Sequence, residues 1–517
     1  MQNEMTRNHR RNGSRAARPH RRRRLVDTVF TERNRFWHLV ILVGVASGIT
    51  GALYIGAMKG LTKLLGGDAW SRPAHLIVLG LIGLAIGLIT LILGSPGDVE
   101  LLVDNIHLNG GKSDIRDLRS LIPVSLLGIA AGSAIGPEAP LVQTTGSIGN
   151  WISMRRNLGV VDSRSLTIAG MACGFAVLFG APLGSAIFAL EILHRRGLEY
   201  YEALLPAGIG ALTGYGLYIL LNRVGFQTVW RFPEPRALGG VDLLVGVGAG
   251  VCGAVIAWGF TYFTRLEQRG FRLLPAAVRP VAGGLALGGL AFISPYALTF
   301  GEPQIQHVAA TKVAVATLLL AVLIKFVASS TVISAGWRGG FIIPLFFMGA
   351  AVGSVISQVF HVDPVIAIAA GMTACNVGVT KTPFGSTLVV SEMAGLRLLP
   401  STFVAALVAL FLTSRVSMIE AQRTREGAFG EPTINRDATG AEPGPGMIMA
   451  GETPDAAMPA SDPPPPAGPL RPAEPPPPTS VPENPPHASP APRRPPRLDG
   501  PHPGPASATP QAEESTG

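Results

Sequence analysis

Ionisable side chains inside long apolar runs are the residues best placed to do chemistry, because a charge held there is costly unless it is paired or used. Six qualify: Glu138, Glu191, Lys325, Arg338, Lys381 and Glu392. Glu138 stands apart. It lies in Gly136-Pro137-Glu138-Ala139-Pro140, between an apolar run ending at Ile135 and another starting at Leu141. Gly and Pro break a helix at such a place and free backbone N–H groups. A helix N-terminus of that kind is a ready anion site. A carboxylate standing in it mimics the anion it displaces, and protonation releases it. One residue can thus be gate and proton carrier.

A partner element has the same Gly-x-x-x-Pro spacing without the acid: Gly340-Phe341-Ile342-Ile343-Pro344, preceded by Gly339. Its free amides suit direct anion binding, and Arg338 raises the local positive potential. The two elements belong to a larger duplication. Ala169, Gly170, Met171, Pro182, Gly184, Ser185 and Glu191 recur 201 positions later as Ala370, Gly371, Met372, Pro383, Gly385, Ser386 and Glu392. Gly136, Pro140 and Gly149 recur as Gly340, Pro344 and Gly353. Two matching apolar halves predict an all-α polytopic membrane protein of inverted-topology repeats, with broken helices meeting at a central site near the bilayer midplane. Glu191 and Glu392 close matching apolar runs, where a structural role is expected, bonded to helix-terminal backbone or to Arg195 or Arg196. Lys325 and Lys381 either snorkel or pair.

The elements that must position these residues are apolar helices. Hydrophobic residues make up 47% and charged residues 15% of the 517, too few charges for a soluble domain of this size. A span needs about 20 predominantly apolar residues. Leu39–Met58, Leu76–Leu93, Leu166–Leu190, Ala203–Leu221, Leu243–Phe263, Val281–Phe300, Phe341–Phe360 and Leu398–Ser414 qualify, while Leu121–Ile135 and Pro364–Thr380 read as partial or tilted helices. Roughly ten or more membrane segments are expected on length. Residues 1–35 hold eleven Arg against three acids, a basic cytoplasmic tail that orients the first span rather than a nucleic-acid patch. Membrane repeat 1 covers 36–225, a linker 226–240 and membrane repeat 2 241–420. Residues 421–517 form a Pro-rich disordered tail, with 26 of the 44 prolines beyond residue 430. Cys173, Cys252 and Cys375 have neither disulfide nor metal-ligand spacing. His38, His75, His107 and His307 make no ligand pair, so an enzyme, a metal or a cofactor is not expected.

In this order and company the motifs resemble the CLC family of chloride channels and proton/chloride antiporters. The family's G-x-E-G-P element is similar to Gly136–Pro140, its G-G-x-F-x-P element to Gly339–Pro344, and its glutamate-methionine before the last helices to Glu392-Met393. The likeness runs over about residues 36–420. It implies a homodimer in the cell membrane with one anion pathway per subunit and both tails cytoplasmic. Glu138 would be the gate, with the amides of Phe341 and Ile342 holding a central anion between Gly136, Ala139 and Gly340. The family's first anion-binding element falls on Gly94–Glu100, so Ser95, Pro96 and Gly97 join the site. A proline at that position goes with nitrate preference in the family, and Pro96 is one residue beyond Ser95. Ile419 falls where the family has a pore tyrosine. Ile192 stands where the inner proton-relay glutamate belongs, which points to channel-type chloride transport, with proton-coupled chloride or nitrate antiport as the alternative.

Overall fold

A computed structural model of the chain describes residues 19–65, 70–97, 99–108, 117–195, 198–223, 225 and 228–422. Most of the expected Pro-rich tail and the first part of the basic tail lie outside the described residues. Sixteen α-helices follow one another among the described residues. The first repeat supplies α1 (Pro19–Leu65), α2 (Arg72–Leu93), α3 (Val99–Leu108), α4 (Asp117–Ala130), α5 (Glu138–Arg155), α6 (Val160–Phe179), α7 (Pro182–Glu191) and α8 (Leu204–Asn222). The second supplies α9 (Gly240–Arg272), α10 (Arg279–Ile293), α11 (Glu302–Ala310), α12 (Val315–Ser334), α13 (Ile342–Phe360), α14 (Pro364–Thr380), α15 (Pro383–Ala394) and α16 (Leu399–Thr413). Eight helices are long and apolar enough to cross a membrane, and four shorter apolar ones accompany them, among the described residues. Helix α1 reaches back to Pro19, into the stretch expected as a tail.

Two expected spans are divided, for local reasons. The charge-free run Leu166–Leu190 breaks into α6 and α7 at Gly180-Ala181-Pro182. Gly180 takes a left-handed φ of 66°, and Pro182 opens the next helix without needing an N–H partner. Val281–Phe300 is a helix only as far as Ile293. Ser294 is extended and its hydroxyl accepts the Tyr296 N–H, while Pro295 has no N–H to continue the ladder.

The repeats are related by more than sequence. Helices α7 and α15 lie against each other and cap each other. Glu191, at the end of α7, accepts the Phe384 and Gly385 N–H groups that open α15, at 3.2 and 2.6 Å. Glu392, near the end of α15, accepts the Leu183 and Gly184 N–H groups that open α7, at 3.5 and 2.9 Å. Each acid stands at the positive end of the partner helix, so the two run antiparallel, as an inverted repeat requires. Gly184 and Gly385 permit the approach: a Cβ on either would come within 2.5 Å of backbone, at Val389 or Phe188.

The core consists of small residues and glycines as much as large ones. Helices α5 and α6 pack through Gly149 and Gly170, and α13 and α14 through Gly353 and Gly371, each glycine set against the partner's backbone. Close approach gives packing and weak backbone contacts, which drive helix association where lipid is as apolar as leucine.

Candidate functional site

Both broken-helix loops are built the same way. Gly132 follows the end of α4 and Gly336 the end of α12, each with a left-handed φ, of 92° and 88°. Each end is closed by the same backbone pattern: Ser133 N–H to Gly128 O and Trp337 N–H to Val332 O, both at 3.1 Å. Four residues on, the loops meet. Gly136 donates to the Gly340 carbonyl at 2.8 Å, and Gly340 donates to the Gly136 carbonyl at 2.6 Å. This antiparallel bridge is the one isolated β-pairing among the described residues. It sets the N-termini of α5 and α13 side by side at the centre of the protein.

Side chains hold the loops in register. Ser329 Oγ donates to the Ala134 carbonyl at 2.7 Å. One turn earlier on α12, the buried Lys325 ammonium donates to the carbonyls of Leu298 and Thr299, at 2.9 and 2.6 Å, and stands 5.4 Å over the Phe347 ring. Thr299 in turn donates its N–H to Gly132 O at 2.8 Å. Lys325 therefore does not snorkel; it ties α12 to the segment that supports the Glu138 loop. On the other loop, Trp337 is buried and its indole N–H bonds to Pro280 O at 2.9 Å, anchoring Arg338–Gly340 to α10.

Glu138 is fully buried, and its carboxylate lies at the start of α13, where Oε1 accepts the Ile343 N–H. Its Oε2 has no hydrogen-bond partner among the described residues. Pro344 supplies no N–H, so the α13 N-terminus offers the amides of Ile342 and Ile343, with Phe341 just before them. Phe341 and Ile342 have no backbone acceptor for their N–H groups among the described residues. Sequence reasoning named Phe341 and Ile342 and missed Ile343, because the carboxylate's reach is decided by the bridge. The same bridge engages the N–H groups of Gly136 and Gly340, so these two position the site rather than offer amides to an anion.

Other expected residues divide between two cavities. A chamber of about 640 Å³ is lined by Gly97, Ala139, Phe341 and Ile419, with Arg338 among the other lining groups. A small apolar space joins Ala139, Gly340, Phe341 and Ile342 with Ile192. Ser95 and Pro96 sit in the loop after α2, the first half-buried and the second buried, and line neither cavity. Gln422 bridges the carbonyls of Ile192 and Thr380, at 2.8 and 2.7 Å, and so fixes the short segment that carries Ile419. Lys381, the left-handed residue that ends α14, donates to Gly378 O, Thr413 O and Thr413 Oγ1 at 2.5, 2.8 and 2.7 Å. It caps the C-termini of α14 and α16 with one cation.

Comparison with known proteins bears on the family and the fold. The family model described as voltage gated chloride channel matches residues 97–414. A Pseudomonas syringae protein named chloride/fluoride channel protein is 26% identical over 409 residues, covering 76% of this chain and 87% of that protein. A Salmonella typhimurium protein named voltage-gated ClC-type chloride channel ClcB is 27% identical over 417 residues, covering 72% and 95%. Among solved structures, a CLC-type fluoride/proton antiporter superposes with a TM-score of 0.67 at 24% identity over 76% of this chain and 99% of that one. A slow cyanobacterial Cl⁻/H⁺ antiporter gives 0.64 at 20% identity over 74% and 95%.

Proposed function

We propose, for a chain that belongs to the voltage gated chloride channel family and transports small anions across a membrane, that each subunit conducts chloride by a channel-type mechanism gated by Glu138. Members of this family are transporters rather than enzymes. The observation that carries the proposal is the Glu138 carboxylate seated on the α13 N-terminus, one oxygen on the Ile343 amide and the other without a partner among the described residues. Those amides favour negative charge whether it comes from a carboxylate or from a permeating anion. Protonation, or displacement by an incoming anion, vacates the position and opens the path. The unengaged amides of Phe341 and Ile342, one step along, hold the central anion. Ile192 favours a channel, since an apolar side chain stands where the resemblance implies a proton-relay glutamate.

Proton-coupled antiport is the second reading. Glu138 is itself able to carry a proton, and both structural neighbours named above are called antiporters. Fluoride or nitrate in place of chloride belongs to the same reading, the first on the name of the Pseudomonas relative and the second on Pro96. The subunits pair as a homodimer in the cell membrane, tails in the cytoplasm. The apolar residues exposed around α7, α8, α15 and α16, among them Leu183, Leu205, Phe384 and Phe411, suit that contact.

The test is anion efflux from liposomes holding purified protein, with external pH recorded together, for wild type and Glu138→Gln. Chloride efflux without proton movement supports the channel. Stoichiometric proton uptake that disappears in Glu138→Gln replaces it with the antiporter, and flux with nitrate or fluoride but not chloride reassigns the ion. No anion flux at all refutes the proposal.

A further inference from the structure

Beyond the gate, the chamber that opens on the pathway carries far more positive charge than a passing halide needs. Its lining includes Arg265, Arg269, Arg272, Arg279 and Arg338, against one described carboxylate, Glu420. Three of these guanidinium groups are uncommitted. Arg269 and Arg272 lie on the last turn of α9, and their side chains have no hydrogen-bond or ion-pair partner among the described residues. Arg338 has its Nε buried without a partner among the described residues. A buried donor left unsatisfied carries a penalty that a bound acceptor removes.

The other two arginines act as scaffold. Arg265 donates to Ser417 O at 2.7 Å and to Glu420 at 2.9 Å, which holds Glu420 at the rim. Arg279 donates to Leu274 O at 2.9 Å and to Arg272 O at 3.3 Å, which fixes the turn that carries Arg272. The result is a half-open space of about 640 Å³, within the range of small-molecule sites, in which like charges repel until an anion enters. One monovalent ion offsets a single charge of the set. An anion bearing several phosphates offsets many at once, and its oxygens match the planar fork of arginine.

We infer that this chamber is a binding site for a soluble anion bearing two or more phosphate groups, and that its occupancy closes the pathway. The closure rests on the transport reading above, because Gly97, Ala139, Phe341 and Ile419 also line the chamber. The binding does not rest on it. Clustered phosphates also occur on lipid headgroups. The chamber is lined in part by Ala139 and Phe341, the immediate neighbours of Glu138 and Gly340, so the occupant is assigned to solution.

Titration calorimetry of the full-length protein in detergent, with sodium tripolyphosphate as probe, tests the site at constant ionic strength. One tripolyphosphate per subunit is expected, weakened at least tenfold by Arg269→Gln with Arg272→Gln, two positions exposed enough to leave the fold intact. Substituting glutamine for Arg21, Arg22, Arg23 and Arg24 should leave the affinity unchanged. No binding, equal binding to the Arg269/Arg272 variant, or loss only on substituting the N-terminal arginines would overturn the inference. Occupancy only in nanodiscs containing a polyphosphorylated lipid, with none by tripolyphosphate, would overturn the soluble source. In liposomes, added tripolyphosphate should reduce chloride efflux in the wild type and not in the variant; binding without reduction would overturn the closure. Binding as expected by a protein that passes no anion would sink the gated-transport reading and leave the site standing.

Discussion

Replacing Glu138 with glutamine keeps the size and removes the charge at the α13 N-terminus, so it isolates the competition between the carboxylate and an anion. The wild-type carboxylate accepts the Ile343 N–H. A hydrogen bond to a charged group contributes about 1.5–3 kcal/mol, and a neutral one about 1 kcal/mol. A charge at a partly buried helix terminus adds up to about 2 kcal/mol. The substitution thus removes about 0.5–4 kcal/mol of competing attraction. Glu138 is wholly buried, so lost hydration offsets part of this and a mid-range figure applies. About 2 kcal/mol corresponds to roughly a 30-fold gain in anion affinity. Chloride titration of both proteins by calorimetry at neutral pH measures it directly, with Glu138→Ala as a control for side-chain size. Lowering the pH should bring the wild type toward the variant, since protonation removes the same charge. Affinities within twofold of each other would refute the reasoning, and so would a variant that keeps the wild-type pH dependence.

Four further outcomes follow from the geometry. Glu191→Ala leaves the Phe384 and Gly385 amides buried without an acceptor and should lower stability by about 3 kcal/mol, measured as faster unfolding in detergent by tryptophan fluorescence; Glu392→Ala, whose bonds are longer and whose side chain is half-buried, should cost less, and the reverse order would contradict the account. Gly385→Ala forces a Cβ to within 2.5 Å of Phe188 Cα and should cost about 1–3 kcal/mol, so an unchanged unfolding rate would show that α7 and α15 can separate freely. Lys325→Met strips two carbonyls of their donor and loosens the support of the Glu138 loop; a variant with wild-type anion affinity and efflux would show that the tie does not matter. Gly340→Ala places a Cβ against the Glu138 side chain, so it should displace the carboxylate and mimic Glu138→Gln in anion affinity, an expectation that wild-type binding would defeat.

What sequence alone determined is the part of the protein written in local chemistry. Apolar runs, the duplicated pattern and the two Gly-x-x-x-Pro elements give a membrane fold of two repeats with broken helices, because helix breakers and hydrophobic length act over a few residues. The role of Glu191 and Glu392 as helix-terminal acids was legible for the same reason. The tertiary structure alone decided everything that depends on which distant groups meet. It engaged the N–H groups of Gly136 and Gly340 with each other's carbonyls. It gave the carboxylate of Glu138 to the Ile343 amide, a partner the sequence did not name. It also gathered Arg265, Arg269, Arg272 and Arg279, which look in sequence like ordinary charges at a helix end, with Arg338 from a loop some 60 residues further on. A hydrogen bond or a charge cluster depends on separations of a few ångströms in space, and the sequence pattern carries no record of those until the two repeats are packed face to face.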